Sequence, residues 1–269
     1  MAIESNLPPR YEIRVLGPEH IEWASAIVIH SNLYHSPIWP AVYPNDRAAR
    51  VYKAFNSIYY LVRHQVESGY SLGIFDKEYQ FRRPESAATG GQLYWDQKDL
   101  EASGEKLLEQ MDFPLVSVAL AYDGINPLDH DKMKGLMESL PMLGTAYALL
   151  ERLDSREKSS WEAQKPREVL HRNATSTRHE YEGKGLMRKL ANYMMRTAAA
   201  EGFRGIQIEP LSDAVAHVWA NPPAPFTAEV VSTFHMASWE EENEKGEKYN
   251  PFYPASQRVS KIYTTLKAT

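Results

Sequence analysis

The 269-residue chain contains no cysteine, which excludes disulfides, thiolate metal ligands and a cysteine nucleophile and fits a reducing compartment. Positive charge is not in excess either: 30 Lys and Arg against 35 Asp and Glu leave a formal charge of −5. Nucleic acid and anionic membrane therefore have no electrostatic case as the main partner, and a small, near-neutral ligand remains open. Long apolar runs are missing too. The most apolar strand-like stretch, PLVSVALAY at 114–122, falls far short of the ~20 residues that cross a bilayer. The opening MAIESNLPPRYE has no cationic segment leading into an apolar one, so no secretory signal is read there and a cytoplasmic location is expected. Internal repeats and low-complexity tracts are absent. What is there is the 43% hydrophobic, 24% charged composition of an ordinary globular protein.

Tyr11, Ile13 and Val15 alternate as a short strand, and Pro18 then sits where a first helical turn tolerates it, opening a helix of about four turns. The stretch 33–46 mixes three prolines with Tyr34, His35, Trp39 and Tyr43 and reads as a loop. From Asp46, a suitable N-cap, the spacing of Val51, Phe55, Ile58, Tyr59 and Val62 predicts a second helix that stops at Gly69. Strands are expected at 71–76, 91–96 and 115–122, the last with Val116, Val118, Leu120 and Tyr122 alternating. Segments 129–140 and 142–153 are helical in pattern, split by Pro141. The region of about 126–165 is read as an insertion within a single 1–269 domain, because it offers too little regular structure to bury a core of its own.

A strand at 167–177, a glycine-bearing turn, a helix closed by Gly202 and a strand at 203–209 make a βαβ-like unit. A short helix from Ser212 ends at Pro222, Pro223 and Pro225. Strands at 226–238 and 258–267 finish the chain around an exposed, charged hairpin loop. The long apolar last strand is also available for contacts in a homodimer.

In the helix after the glycines, Leu186, Leu190, Tyr193, Met194, Thr197 and Ala198 share one face. A helix start leaves about four N–H groups unpaired with partial positive charge behind them, which suits a phosphate, and Gly183 and Gly185 would let one come close. The same strand, Gly-x-Gly and helix also serve plain packing. Two other phosphate cradles are excluded. Gly183-Lys184 is followed by Gly185 rather than Ser or Thr, and Arg188 stands where a dinucleotide fingerprint needs its third glycine.

The run Thr177-Arg178-His179-Glu180-Tyr181-Glu182-Gly183-Lys184-Gly185-Leu186-Met187 resembles the acyl-CoA loop of the GNAT-type N-acetyltransferases. The order of elements is similar to that family over most of the chain, the insertion apart. The resemblance implies an α/β (α+β) fold with a mixed, splayed sheet of about seven strands flanked by helices. An acyl-CoA, acetyl-CoA above all, would lie where two central parallel strands part. The resemblance further implies that backbone groups of Thr175, Ser176 and Thr177 hold the pantetheine arm, and that the loop at Glu182, Gly183, Lys184, Gly185, Met187 and Arg188 takes the pyrophosphate. Two positions depart from the family pattern: Glu182 brings a carboxylate that must point away, and Met187 replaces a small residue. Lys184 and Arg188 offset the charge.

The function so implied is N-acyl transfer to a small-molecule amine, the alternative being a protein of this fold that has lost transfer or uses the cleft for another reaction. Transfer needs a free amine lone pair, a polarised thioester carbonyl and a proton for the departing thiolate. His171 holds the family's base position, with an ordinary pKa of about 6.5; a structural, half-buried histidine is the competing reading. Trp219 stands where the family's acid, a tyrosine, is usual, and an indole donates a hydrogen bond but no proton. That leaves His217 or a water. Tyr34, His35, Trp39 and Tyr43 fall where the family places its acceptor, joined by Trp219, and aromatic walls favour an apolar or planar molecule. A loop cap burying aromatics on the core explains the same residues. No His or Asp spacing matches a ligand set, so no metal is assigned.

Overall fold

One seven-stranded mixed sheet organises the computed structural model, which describes residues 4–267. Its strands are β1 (Tyr11–Val15), β2 (Leu72–Asp76), β3 (Leu115–Asp123), β4 (Val169–Thr177), β5 (Gly205–Ile208), β6 (Thr227–His235) and β7 (Arg258–Thr265). The helices that cover it are α1 (Ile21–His35), α2 (Arg47–Glu67), α3 (His130–Ser139), α4 (Pro141–Arg152), α5 (Leu186–Glu201) and α6 (Asp213–Ala220). The spatial order is β1-β2-β3-β4-β5-β7-β6. Every neighbouring pair is antiparallel except β4 and β5, which run parallel across the α5 crossover.

All nine residues of β3 are buried. The reason is that both faces are covered. Val118 and Leu120 join the cluster under α1 to α4, while Val116, Ala119 and Ala121 join the one under α5 and α6. Each fully buried aliphatic side chain contributes about 2 kcal/mol, so the sheet centre is the best-held part of the molecule. Helices α3 and α4 place Met133, Leu136, Met142, Ala146 and Leu150 in the same apolar cluster as α1 and α2.

Several local expectations are corrected. The loop expected at 33–46 begins inside α1, which runs through His35, and Trp39–Val42 adds a further helical turn with Pro40 in its first positions, where a missing N–H costs nothing. Asp46 does precede α2, but at φ +51° and with no side-chain capping bond. The strand expected at 91–96 shrinks to Gln92–Leu93, paired with Met111–Asp112 outside the main sheet. The hairpin loop between β6 and β7 is largely exposed, as expected, but Phe252 within it is fully buried against Phe234 with ring centroids 5.0 Å apart. Strand β7 is paired on both edges, by β5 and β6. Among the described residues no helix is long and apolar enough to cross a membrane.

Candidate functional site

The parallel pairing of β4 and β5 lasts only from Val169 opposite Gly205 to Arg172 opposite Ile208, and β4 then runs on alone to Thr177. On its other side Ala121 faces Arg172 and Ala119 faces Thr175, so Asn173 and Ala174 bulge opposite Leu120. Ala174 sits at φ +74°, a region costly for a residue with a Cβ, and a bulge of this kind re-aims backbone groups at a strand's edge. Beyond Arg172 the β5-facing edge of β4 therefore has backbone groups without a strand partner. A cavity of about 140 Å³ opens there. Its walls are Val28, Ile29 and Asn32 of α1, Trp39, Ile58 and Leu61, then Leu136, Leu140, Leu143 and Tyr147 along α3 and α4, and the bulge from Arg172 to Thr175. The buried hydroxyl of Thr175 has no partner among the described residues. Ser176 and Thr177 continue the strand; the Ser176 carbonyl accepts from the Ser117 hydroxyl at 3.3 Å, and Thr177 Oγ1 lies 2.8 Å from Ser117 Oγ.

The glycine turn comes directly after β4. Gly183 at φ +73° and Gly185 at φ +69° face open space where a Cβ would stand. The N–H groups of Gly183, Lys184 and Gly185 have no protein partner among the described residues, and the first bond of α5 is donated only by Lys189, to Gly185. Met187 and Arg188 lie in that unbonded first turn, which contains no acidic residue. Glu182 is exposed, and its carboxylate accepts from His179 Nδ1 at 3.1 Å. Met187 packs its side chain toward the α5 and α6 core, while Arg188 is exposed. Lys184 donates to the Glu180 carbonyl at 3.2 Å and lies over the Tyr181 ring. The turn is anchored from below: Tyr181 donates to Asp76 at 2.8 Å, and the same carboxylate takes two bonds from Arg10. Burial pushes the Asp76 carboxyl up, but these bonds outweigh it and hold it below the usual carboxylate range. Buried Arg178 donates to the Phe113 carbonyl at 2.9 Å and to Glu180 at 2.6 Å.

Other residues singled out by the sequence stand elsewhere. His171 is not on the cavity wall. Its ring stacks on Tyr122 at 5.4 Å near Trp161, and a Cβ on Gly124 would lie 2.7 Å from it. Burial, and secondarily the charge of Lys261, push its pKa down to about 4, so it is a neutral, weakly basic packing group at pH 7. His217 is exposed on the outer side of α6 beside Asn221, away from the cavity. Trp219 is wholly enclosed in the core on the far side of the sheet, with Arg172 over its ring at 5.3 Å, and so touches no open site. Of the four aromatic residues at 34–43 only Trp39 lines the cavity. Because α1 extends through His35, Tyr34 is turned onto Gly104 with its hydroxyl 3.3 Å from the Ala102 carbonyl, and His35 stacks on His179 at 3.9 Å. Tyr43 stacks behind Trp39, under Arg50.

Sequence reasoning missed the charged group at this site. Glu209, directly after β5, is the only carboxylate among the cavity's described lining residues. Lys261 of β7, 2% exposed, reaches it at 3.7 Å and Asp154 at 3.1 Å, and Arg156 grips Asp154 at 2.8 Å. Burial pushes the Asp154 carboxyl up, but hydrogen bonds from Arg156 and Lys261 overcome this and hold it at about 2. One signal was available: a lysine inside the apolar run VSKIY is rarely buried without carboxylate partners.

The seven-stranded mixed sheet flanked by helices, with one parallel pair that parts, is a GNAT-like fold. No family model matches the chain, and no curated protein matches it at a significant level. Among solved structures it is similar to the C-terminal condensation domain of Ebony in complex with beta-alanyl-dopamine, with a TM-score of 0.59 and 15% identity over 94% of this chain and 98% of that one. It is also similar to arylalkylamine N-acetyltransferase 2 from Aedes aegypti, with a TM-score of 0.57 and 12% identity over 96% and 99% of the two chains.

Proposed function

We propose that the protein is an acyl-CoA-dependent N-acyltransferase, most simply an acetyltransferase, acting on a small-molecule amine. The observation that carries this is the continuity of three features along one path: unpaired amides at Gly183 to Gly185, the unpartnered edge of β4 from Asn173 to Thr177, and the cavity at the bulge. A diphosphate suits the helix start, since the dipole of the 16-residue α5 and free N–H groups favour an anion there. The extended β4 edge suits the amides of a pantetheine arm, whose thioester would then meet an acceptor in the cavity. Met187, with its side chain in the core, presents only backbone, and Glu182 is tied to His179. The fold it shares with amine acetyltransferases supports the same reading. The location of His171 and His217 off the cavity favours a second reading, a protein of this fold without transfer chemistry.

Calorimetric titration with CoA is expected to show binding in the micromolar range, and no heat at millimolar ligand would end the proposal. Acetylation of an amine panel separates the two readings. Gly185→Val should weaken CoA about tenfold or more, because a β-branched residue at φ +69° costs about 1–2 kcal/mol and drags the amides out of line. No side chain would clash, so the fold should survive. Unchanged affinity in that variant would show that the turn does not grip the ligand.

A further inference from the structure

We propose that Glu209 is the acceptor-recognition and proton-accepting group of this cavity, and that the acceptor is a primary monoamine with an apolar body whose ammonium pairs with it. The inference rests on the transferase reading and adds to it the acceptor class and the residue that handles its proton.

Apart from Glu209 and Arg172, the polar side chains of the lining, such as Asn32, Asn173 and Thr175, are uncharged. The cavity walls are mainly aliphatic, with Trp39 and Tyr147 as aromatic members. Arg172, the other charged lining residue, is buried, donates to the Leu120 carbonyl at 3.0 Å and covers Trp219, while its Nε has no partner among the described residues. An acceptor carrying a second ammonium would find no second carboxylate in the lining, and an unpaired buried charge is expensive. One ammonium and one apolar body fit the lining.

Lys261 makes Glu209 a fixed feature. It is held at 3.1 Å by Asp154, whose other bonds come from Arg156, and Arg156 is itself placed by Gln207 of β5 at 3.0 Å. Three carboxylates, Asp154, Glu151 and Glu209, face the two cations Lys261 and Arg156, so an arriving ammonium supplies the positive charge that the cluster lacks. The groups facing Glu209 are Lys261 from β7, Asp154 and Glu151 from the end of α4, Tyr147 from α4 and Tyr122 from β3. Burial raises the Glu209 carboxyl above the ordinary range, Lys261 lowers it, and Glu151 and Asp154 raise it again. A carboxylate so raised is a better proton acceptor for an ammonium than a solvated one.

The chemical step balances with the acyl thioester as the only co-reactant. Glu209 takes one proton from the ammonium, freeing the nitrogen lone pair. The nitrogen–carbon bond forms at the thioester carbonyl, the carbon–sulfur bond breaks, and its electron pair leaves on sulfur. The second nitrogen proton goes to that thiolate, giving amide and thiol, and the proton on Glu209 returns to solvent.

The test reads acceptor binding without any donor, by titrating 2-phenylethylamine and its uncharged isostere 2-phenylethanol against the full chain while following tryptophan fluorescence, to which Trp39 of the cavity wall contributes. Wild type should bind the amine at least tenfold more tightly than the alcohol, with the preference shrinking as the pH is lowered and Glu209 takes a proton. Glu209→Gln, which keeps the shape, should bind both alike while retaining CoA affinity and a cooperative unfolding transition; Glu209→Asp should restore part of the preference. Persistence of the amine preference in Glu209→Gln overturns the inference, as does equal binding or no binding of the two probes by wild type. Loss of CoA binding at the glycine turn would overturn the transferase reading and leave this result standing.

Discussion

Lowering the pH from 6.5 to 4 is expected to remove on the order of 5 kcal/mol of folding stability, about half of it from each of two histidines, buried His30 and half-buried His171, at about 1.4 kcal/mol per unit of pKa shift. His30 lies on the buried face of α1, where burial pushes its pKa down to about 4 despite the bond its Nε2–H donates to the Gly104 carbonyl at 2.7 Å. His171 is held at about 4 by burial beneath Tyr122 and Trp161. Below pH 6.5 the unfolded chain binds protons that these two rings refuse, so stability is complete above that pH and drains away as the pH falls toward 4. Glu209 works the other way, because burial raises its carboxyl and acidification then favours the folded state, which offsets a part of the loss. Chemical denaturation at pH 7, 5.5 and 4.5 checks this directly. His171→Phe, which keeps a flat ring between Tyr122 and Trp161, should flatten the pH dependence by about half; an unfolding free energy constant across this range in wild type would refute the prediction.

Lys261→Met should cost about 3 kcal/mol at pH 7, at the low end of what removing one partner of a buried ion pair costs. The lysine is 2% exposed, and methionine fills much of its volume, so the loss is electrostatic rather than a cavity. Asp154 keeps Arg156 at 2.8 Å, which is why the larger values are not expected. Glu209 keeps no such partner, since its ion pair is with Lys261. The double variant Lys261→Met with Glu209→Gln should therefore recover about 1 kcal/mol relative to Lys261→Met alone, a coupling measurable by a double-mutant cycle in urea. If the two substitutions simply add, the two side chains are not paired in solution.

The glycine turn was legible because its physics is local. Two glycines, a missing acidic first turn and a 3.6-residue apolar period specify a helix start with free amides, whatever lies around it. Pro141, Gly202 and the prolines after α6 marked element ends for the same reason, since each acts on its own backbone. The aromatic stretch at 34–43 was misread because a helix can run up to Pro37 and restart at Trp39, and only packing against the sheet made both segments worth forming. His171 was misjudged by position alone. It occupies the strand position expected, yet the bulge at Asn173 and Ala174 turns the later residues of β4 toward the cavity, and Tyr122, Trp161 and Gly124 close over the histidine ring.

The order of strands and helices, the crossover and the anion-ready turn were determined by the sequence alone, because propensity, periodicity and backbone freedom act over a few neighbouring residues. Which side chain would meet a substrate was decided only by tertiary structure. Glu209, Lys261 and Asp154 come from three separate segments, and their charges acquire meaning from distances of a few ångströms in a medium of low dielectric constant, which no spacing along the chain encodes.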